Sequence, residues 1–487
     1  MHEIGLSFKA DRFLTDIVEV AAMTSLRDLK YRARIPVQKG HILYGIMDET
    51  NELREGEVYI VTAQTDESGH WKRETIVRDR LVVTRAPALH PGDVQVVKAV
   101  EVSEDSPLRD LYNCIVFSQR GKRDLASQLG GGDLDGDIFH IIYDERLIPP
   151  MTYLPSEYPP TEAVNLGRSV QVEDIVDFFI EYMNADRLGM VSNKHKIRAD
   201  KYPEGTLHSD CVSIAKLASD AVDFSKSGKP VRMDQISKGT DHIRPDFMAS
   251  APGLVLNNVG LAELEEAVED DIDDPDSISV LDPEKFSLRY YRSNKILGVL
   301  YRQIDQVDFF SRMRSDFQTV QQKWGEGSLV MKLAEYIDRE TKAFQWEHHR
   351  GFAEELREFY EENMLEIMDS LRPHRGKPLT ELEVFSGNIL EKKERASTRV
   401  IREANMEVQE RFNRDVNSIT RRIVSGDGLN DDIEMNEALP RAIACFKISL
   451  ETKGWEDYAQ LKSWKYVTAA VCLEQLRLNM NFKLRPV

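Results

Sequence analysis

At 487 residues the chain is about three times the length of an ordinary domain, which predicts several domains and a sizeable core. Its 41% hydrophobic and 30% charged residues fit a globular protein. No apolar stretch approaches the ~18 residues of a membrane span, and the opening MHEIGLSFKADRF lacks the apolar core of a secretory signal. Four cysteines (Cys114, Cys211, Cys445, Cys472) far apart, with no C-x-x-C pair, argue against a disulfide scaffold or zinc knuckle and fit a cytoplasmic or nuclear protein. A net charge of −19 argues against bulk electrostatic coating of nucleic acid.

Residues 11–30 read as one amphipathic helix. The period then changes to short β-branched runs at 42–47, 58–62, 81–84, 94–97, 114–117 and 138–143, separated by turns such as Pro91-Gly92-Asp93. Six short strands with uneven connections suggest a small closed barrel over residues 1–150. Prolines 149, 150, 155, 159 and 160 mark a linker or a wrapping arm. Residues 151–285 are mostly helical in period, with Ile175, Phe178, Phe179, Tyr182 and Met183 on one face and a second helix across 212–222. Nine acids between Glu263 and Asp276 form a solvated loop. Residues 286–487 are helical, with a capping box at Thr380-x-x-Glu383 opening a segment to about Ile423.

The sharpest chemical signal is Gly130-Gly-Gly-Asp133-Leu-Asp135-Gly-Asp137, just before a strand. Three carboxylates this close repel one another unless a cation lies among them, and oxygen ligands select Mg²⁺, Mn²⁺ or Ca²⁺. The glycines remove Cβ atoms where a bulky ligand would approach. A calcium loop of EF-hand type also opens D-x-D-x-D, but it wants Gly and Glu where this chain has Ile138 and Asp144. What is left is a Mg²⁺ site for phosphoryl or nucleotidyl transfer, with Mn²⁺ as the alternative ion. Arg85, Arg120, Lys122 and Arg123 are basic candidates for phosphate or ribose contacts at strand ends.

The run CIVFSQRGKRDLASQLGGGDLDGDIF (114–139) and RAPALHPGD (85–93) resemble the cellular, RNA-silencing type of RNA-dependent RNA polymerase. Collinear matches are YGIMDE (44–49), AVDFSKSGKP (221–230), PDFM (245–248), YRSNKILGVLY (291–301) and LEVFSGNIL (382–390). The two central segments are also similar to the largest subunit of DNA-dependent RNA polymerases. The resemblance implies an α+β fold, a double-psi β-barrel catalytic domain followed by a largely helical neck and head. It implies Asp133, Asp135 and Asp137 as Mg²⁺ ligands and catalytic residues, Arg85 at the incoming nucleotide or primer-end ribose, and Lys122 and Arg123 near nucleotide phosphates. Single-stranded RNA template and nucleoside triphosphates are the implied partners, and double-stranded RNA for silencing the implied product. Family members carry a second, upstream barrel, so this chain is expected to be the C-terminal part of a longer polypeptide or to need that barrel from a partner. The alternative is a non-catalytic RNA- or partner-binding subunit that keeps the barrel as a scaffold.

In NKHKIRADKY (193–202), Lys194, Lys196 and Arg198 are candidates to track an RNA backbone, against a plain solvated helix end. Lys226 and Lys229 lie in a Gly-containing turn without phosphate-loop spacing. His348 and His349 are adjacent, a spacing that does not put two imidazoles on one helix face, so no metal is expected there. Trp324, Trp346, Trp455 and Trp464 read as core. Arg395, Arg399, Arg402, Arg411 and Arg414 alternate with acids as on a solvated face.

Overall fold

A computed structural model of the chain describes residues 4–65, 71–159, 162–185, 187–236, 241–249, 251, 254–257, 260–263, 289–325, 328–371, 378–390, 398–426, 437–451 and 461–483. Trp455, Arg395 and all but the first residue of the acidic run lie outside them. Two compact units divide the chain: one drawn from Met1–Ala33, Ser250–Asp271 and Leu300–Val487, the other from Arg34–Ala249 and Ile272–Val299. The helix Arg12–Arg32 (α1) thus counts with the C-terminal helices, and residues 151–249 continue the barrel's unit.

The barrel is built from β1 (Gly40–Met47), β2 (Glu57–Thr65), β4 (Arg78–Thr84), β5 (Val94–Ala99), β6 (Cys114–Phe117) and β7 (Ile138–Ile142). Hydrogen bonding runs β2–β5–β4–β7–β1–β6 and closes through a β2–β6 pairing, which leaves no free edge within the ring. β1 runs parallel to β6 and β2 parallel to β5, while the other four pairings are antiparallel. Exchanging β1, β2 and β4 for β5, β6 and β7 leaves every pairing unchanged. That internal two-fold symmetry makes the ring a double-psi barrel.

Alternation along the strands fills the interior. Val58, Ile60, Leu81, Val83, Val97, Ile115, Phe117, Phe139 and Ile141 form one buried cluster, each two residues from its neighbour on the same strand where a strand gives two. The intervening Tyr59, Val61, Cys114 and Val116 pack outward against Leu53, Val102 and Leu108. One strand escapes the apolar pattern: β3 (Trp71–Thr75) pairs only with β2, and its sequence WKRET is mostly charged. The proline stretch is an arm laid over the barrel. Arg80 donates to the Pro149 carbonyl (3.0 Å), Gln95 to that of Tyr153 (3.1 Å), and the Tyr158 hydroxyl to Asp93 (2.8 Å).

The short α2 (Leu125–Gln128) precedes the aspartate loop, and beyond the arm lie α3 (Val172–Ala185), α4 (Leu188–Lys201), α5 (Ser209–Val222) and the short α6 (Phe224–Ser227). The apolar face foreseen on α3 is only partly covered. Phe178 and Tyr182 meet Phe224, whereas Ile175, Phe179 and Met183 are exposed. PDFM and YRSNK meet in a small parallel pairing of Ile243–Pro245 with Arg289–Tyr291, fixed by Ser293 donating its backbone N–H to Asp246 (3.1 Å) and its hydroxyl to Asp200 (2.7 Å).

The other unit is helical. Besides α1 it contains α8 (Gln306–Trp324), α9 (Ser328–Glu340), α10 (Arg350–Ser370), α11 (Glu381–Ser386), α12 (Thr398–Ser425), α13 (Ala438–Leu450) and α14 (Ser463–Lys483), following α7 (Ile296–Gln303). Ala353, Leu356, Tyr360, Met364 and Ile367 form the buried stripe of α10 at helical spacing. α13 is buried almost all round and lies in the same core as α10, α12 and α14. Arg441 donates to the carbonyls of Ile423 and Val424 at the end of α12, and Arg357 to those of Ile448 and Glu451 at the end of α13. Both supply the cationic donors that helix C-termini lack. Trp464 is buried as expected, and Lys332 sits 3.6 Å over the Trp324 ring.

Two expectations need correction. The Thr380–Glu383 capping box forms, but α11 stops at Gly387, whose φ of +65° ends the helix, so the long segment is two helices. Arg411 does not merely face solvent, since it pairs with Glu366 of α10 at 2.9 Å, whereas Arg414 is exposed as expected.

Candidate active site at the barrel rim

β4 and β7 are antiparallel neighbours with Thr84 opposite His140. In that register the residue after β4 and the residue before β7 are diagonal neighbours, within reach of a long side chain. Those are Arg85 and Asp137, joined Nε to Oδ2 at 2.6 Å and Nη2 to Oδ1 at 2.9 Å. Arg85 also donates to the Gly130 carbonyl (3.3 Å). Its stem crosses Gly132, where a Cβ would lie 2.8 Å from the Arg85 Cδ and 2.8 Å from the Ala126 carbonyl. The glycine thus admits the chain's own arginine.

Asp133, Asp135 and Asp137 each bring a carboxylate oxygen within 4.8 Å of the others. The loop is folded back on itself by the Asp133 N–H donating to Asp137 Oδ2 (2.9 Å). Lys226, at the end of α6, donates to Asp133 (3.0 Å) and stands 3.8 Å from Asp135. Burial pushes the Asp133 carboxyl up, but its hydrogen bond with Asp135 and the Lys226 ammonium outweigh this and hold it down at about 2. The same hydrogen bond and the Asp133 charge raise Asp135.

The carboxylates border a cavity of about 150 Å³ lined also by Arg85, Asp93, Tyr158, Ser219 and Lys226. Asp93, buried, shapes the RAPALHPGD turn by accepting the N–H groups of Leu89 (3.1 Å) and His90 (2.9 Å). Tyr158 binds the other Asp93 oxygen, and burial raises its phenol well above the ordinary value. Lys226 and Tyr158 were not foreseen as site residues. Lys226 lies in one of the quoted family-like segments, which was the available signal, whereas nothing in the Tyr158 neighbourhood marks it.

Other basic candidates fall elsewhere. Lys122 is exposed and does not line the cavity, and Arg120 binds the Asn51 side chain (2.8 Å). Arg123 donates to Ser127 Oγ (3.1 Å) and the Ser156 carbonyl (2.8 Å), so it fastens the arm rather than facing the carboxylates. Arg198 is buried, with Asp241 (3.2 Å) and Asp210 (3.4 Å) as partners, and Lys194 pairs with Asp241 (3.2 Å). An arginine held this way does not track a nucleic-acid backbone; of the three residues expected to do so only Lys196 is exposed.

The rim site thus combines a closed double-psi barrel, three aspartates and an arginine from the neighbouring strand end. The family model "RNA dependent RNA polymerase" matches residues 1–304, and the chain belongs to that family. It is 32% identical over 320 residues to the probable RNA-dependent RNA polymerase SHL2 of Oryza sativa subsp. japonica, covering 63% of this chain and 23% of that protein. With RNA-dependent RNA polymerase 2 of Arabidopsis thaliana it shares 36% over 255 residues, 50% of this chain and 22% of the relative. A solved RNA dependent RNA polymerase, QDE-1 from Thielavia terrestris, aligns over 98% of this chain and 48% of its own at a TM-score of 0.45 and 13% identity. The chain spans about a quarter of the length of the curated relatives it matches, 23% and 30% for the first two. Among the described residues no helix is long and apolar enough to cross a membrane.

Proposed function

We propose that this chain is the catalytic-barrel portion of an RNA-directed RNA polymerase that copies single-stranded RNA from nucleoside triphosphates. The observation that carries the reading is the trio of aspartate oxygens within 4.8 Å of one another at the rim of a closed double-psi barrel. The donor set fits a hard divalent cation, since all three groups are carboxylates and two of them are substantially exposed. Asp133, Asp135 and Asp137 would hold Mg²⁺, or Mn²⁺ in its place. Bound there, the metal supplies Lewis-acid activation of an attacking hydroxyl and charge stabilisation for a departing pyrophosphate.

The chain's own residues have separate tasks. Lys226 is largely exposed on a flexible stem, so it can leave Asp133 and turn its ammonium to a triphosphate when a cation takes over the carboxylates. Arg85 is held at the rim with its fork on Asp137, in reach of a ribose or phosphate in the cavity. Lys122, exposed on the turn after β6, is a secondary candidate for phosphates, and Lys196 for template RNA. The remaining length of the relatives leaves room for the second barrel of the family resemblance, supplied in cis or by a partner. Four buried free thiols fit a reducing compartment, cytoplasmic or nuclear.

Nucleotide incorporation on an RNA template, measured with the upstream region present in the same polypeptide or added in trans, tests the reading. Asp135→Asn is expected to abolish incorporation. Full activity in that variant overturns the assignment of the carboxylates. The scaffold reading draws on one observation, that Arg85 and Lys226 already neutralise much of the trio. It predicts no incorporation by the unaltered protein and no Mn²⁺ binding that depends on Asp133 or Asp135.

A further inference from the structure

The adjacent histidines that the sequence reading set aside lie together in space. Residues Glu347–His349 form a 3₁₀ turn immediately before α10 rather than a turn of α-helix. A regular 3₁₀ turn would fan successive side chains by about 120°, but His349 is the N-cap of α10 at φ −92° and ψ 9°, and the two rings come together there. Their ring centroids are 4.1 Å apart. Both Nε2 atoms meet one acceptor, Oε2 of Glu437, at 3.1 Å from His348 and 2.9 Å from His349. Glu437 is the N-cap residue of α13, yet its side chain makes no capping bond and is committed to the imidazoles.

We infer that His348, His349 and Glu437 form a binding site for a borderline transition-metal cation of the Zn²⁺ class, clipping the start of α10 to the start of α13. Two imidazole nitrogens and one carboxylate oxygen are the donor chemistry that such ions prefer and that Mg²⁺ does not. The three donor atoms lie within 4.8 Å of one another. Ligands at zinc bond lengths of ~2.0–2.1 Å in tetrahedral array are about 3.3 Å apart. The observed separations of 2.9 and 3.1 Å need to widen by only a few tenths of an ångström. His348 and Glu437 are about half exposed, so water can complete the coordination and the ion has an entry path. The helices so joined both contribute to one core: Ala353 and Leu356 from α10, Leu439 and Ala442 from α13. The inferred role is structural, and it does not rest on the polymerase reading.

The test is Zn²⁺ titration of the chelator-treated chain by calorimetry in excess Mg²⁺, added to compete for the aspartate trio. His348→Gln, on the exposed ring, and Glu437→Gln are the variants, with unfolding temperature as a second readout. One Zn²⁺ should bind, each substitution should weaken binding about tenfold or more, and Zn²⁺ should raise the unfolding temperature of the unaltered chain but not of the variants. Co²⁺ should give the visible absorption of a four-coordinate site in the unaltered chain alone. Absence of Zn²⁺ binding, or binding and Co²⁺ absorption unchanged in both variants, overturns the inference.

Discussion

Arg85 and Asp137 face each other across the seam of β4 and β7, with two nitrogens of one on the two oxygens of the other, at 2.6 and 2.9 Å. Each side chain is less than a fifth exposed. Removing either partner therefore leaves a charge that water reaches poorly, and this makes the pair a stability element as well as part of the site. Arg85→Ala should cost about 2 kcal/mol, less than a fully buried pair because solvent still screens the rim. Because a divalent cation would neutralise the orphaned Asp137, Mg²⁺ should restore part of that loss. Urea unfolding with and without Mg²⁺ checks both statements; an equal loss in the two conditions removes the proposed link between Asp137 and the metal.

Lys226 stands where it would compete with a cation for Asp133 and Asp135. Lys226→Met should tighten Mn²⁺ binding by roughly threefold or more, since attraction between exposed charges near 3–4 Å is worth about 1 kcal/mol in a water-like medium. Incorporation should fall nonetheless, through the loss of a phosphate contact. Calorimetry with Mn²⁺ reads the first effect, and weaker Mn²⁺ binding in the variant would exclude competition.

Gly132→Ala puts a methyl 2.8 Å from both the Arg85 stem and a backbone carbonyl. The stem can swing aside but the carbonyl cannot, so the variant should lose about 1–3 kcal/mol by overpacking. Its Mg²⁺-dependent recovery should resemble that of Arg85→Ala. A variant as stable as the parent would show that the loop relaxes freely.

The barrel strands and the aspartate loop follow from local pattern. β-branched runs at period two, and three carboxylates at alternate positions, state their structure within a few residues of chain. β3 was missed because WKRET, on one edge of β2, has no apolar face to show. Lys226 reaches Asp133 across 93 positions, a proximity that no spacing rule carries. Arg198 illustrates the opposite error: a basic cluster says nothing about burial, and two aspartates on other segments take it inside. His348 and His349 were judged on a regular helical grid that His349, the N-cap of α10, does not obey.

Burial depresses the His195 imidazole to about 4, with an unpartnered Nε2. Between pH 6.5 and 4 the unfolded chain binds a proton there that the folded chain refuses, so stability rises with pH through this window and is lost on acidification. The contribution at the acid end is on the order of 3 kcal/mol. In the unaltered chain, unfolding free energy should fall steeply below pH 6.5, and His195→Gln should flatten that slope. An unchanged slope would assign acid lability to other groups.

Tyr158 anchors the proline arm to Asp93, the residue around which the RAPALHPGD turn is wound. Of the linker and the wrapping arm that the prolines allow, this stretch is the arm. Cleavage within it would not release two independent bodies. It would free the contacts that the arm makes with that turn and the strand after it, so protease resistance at Pro149–Tyr158 becomes a direct gauge of whether the rim is intact.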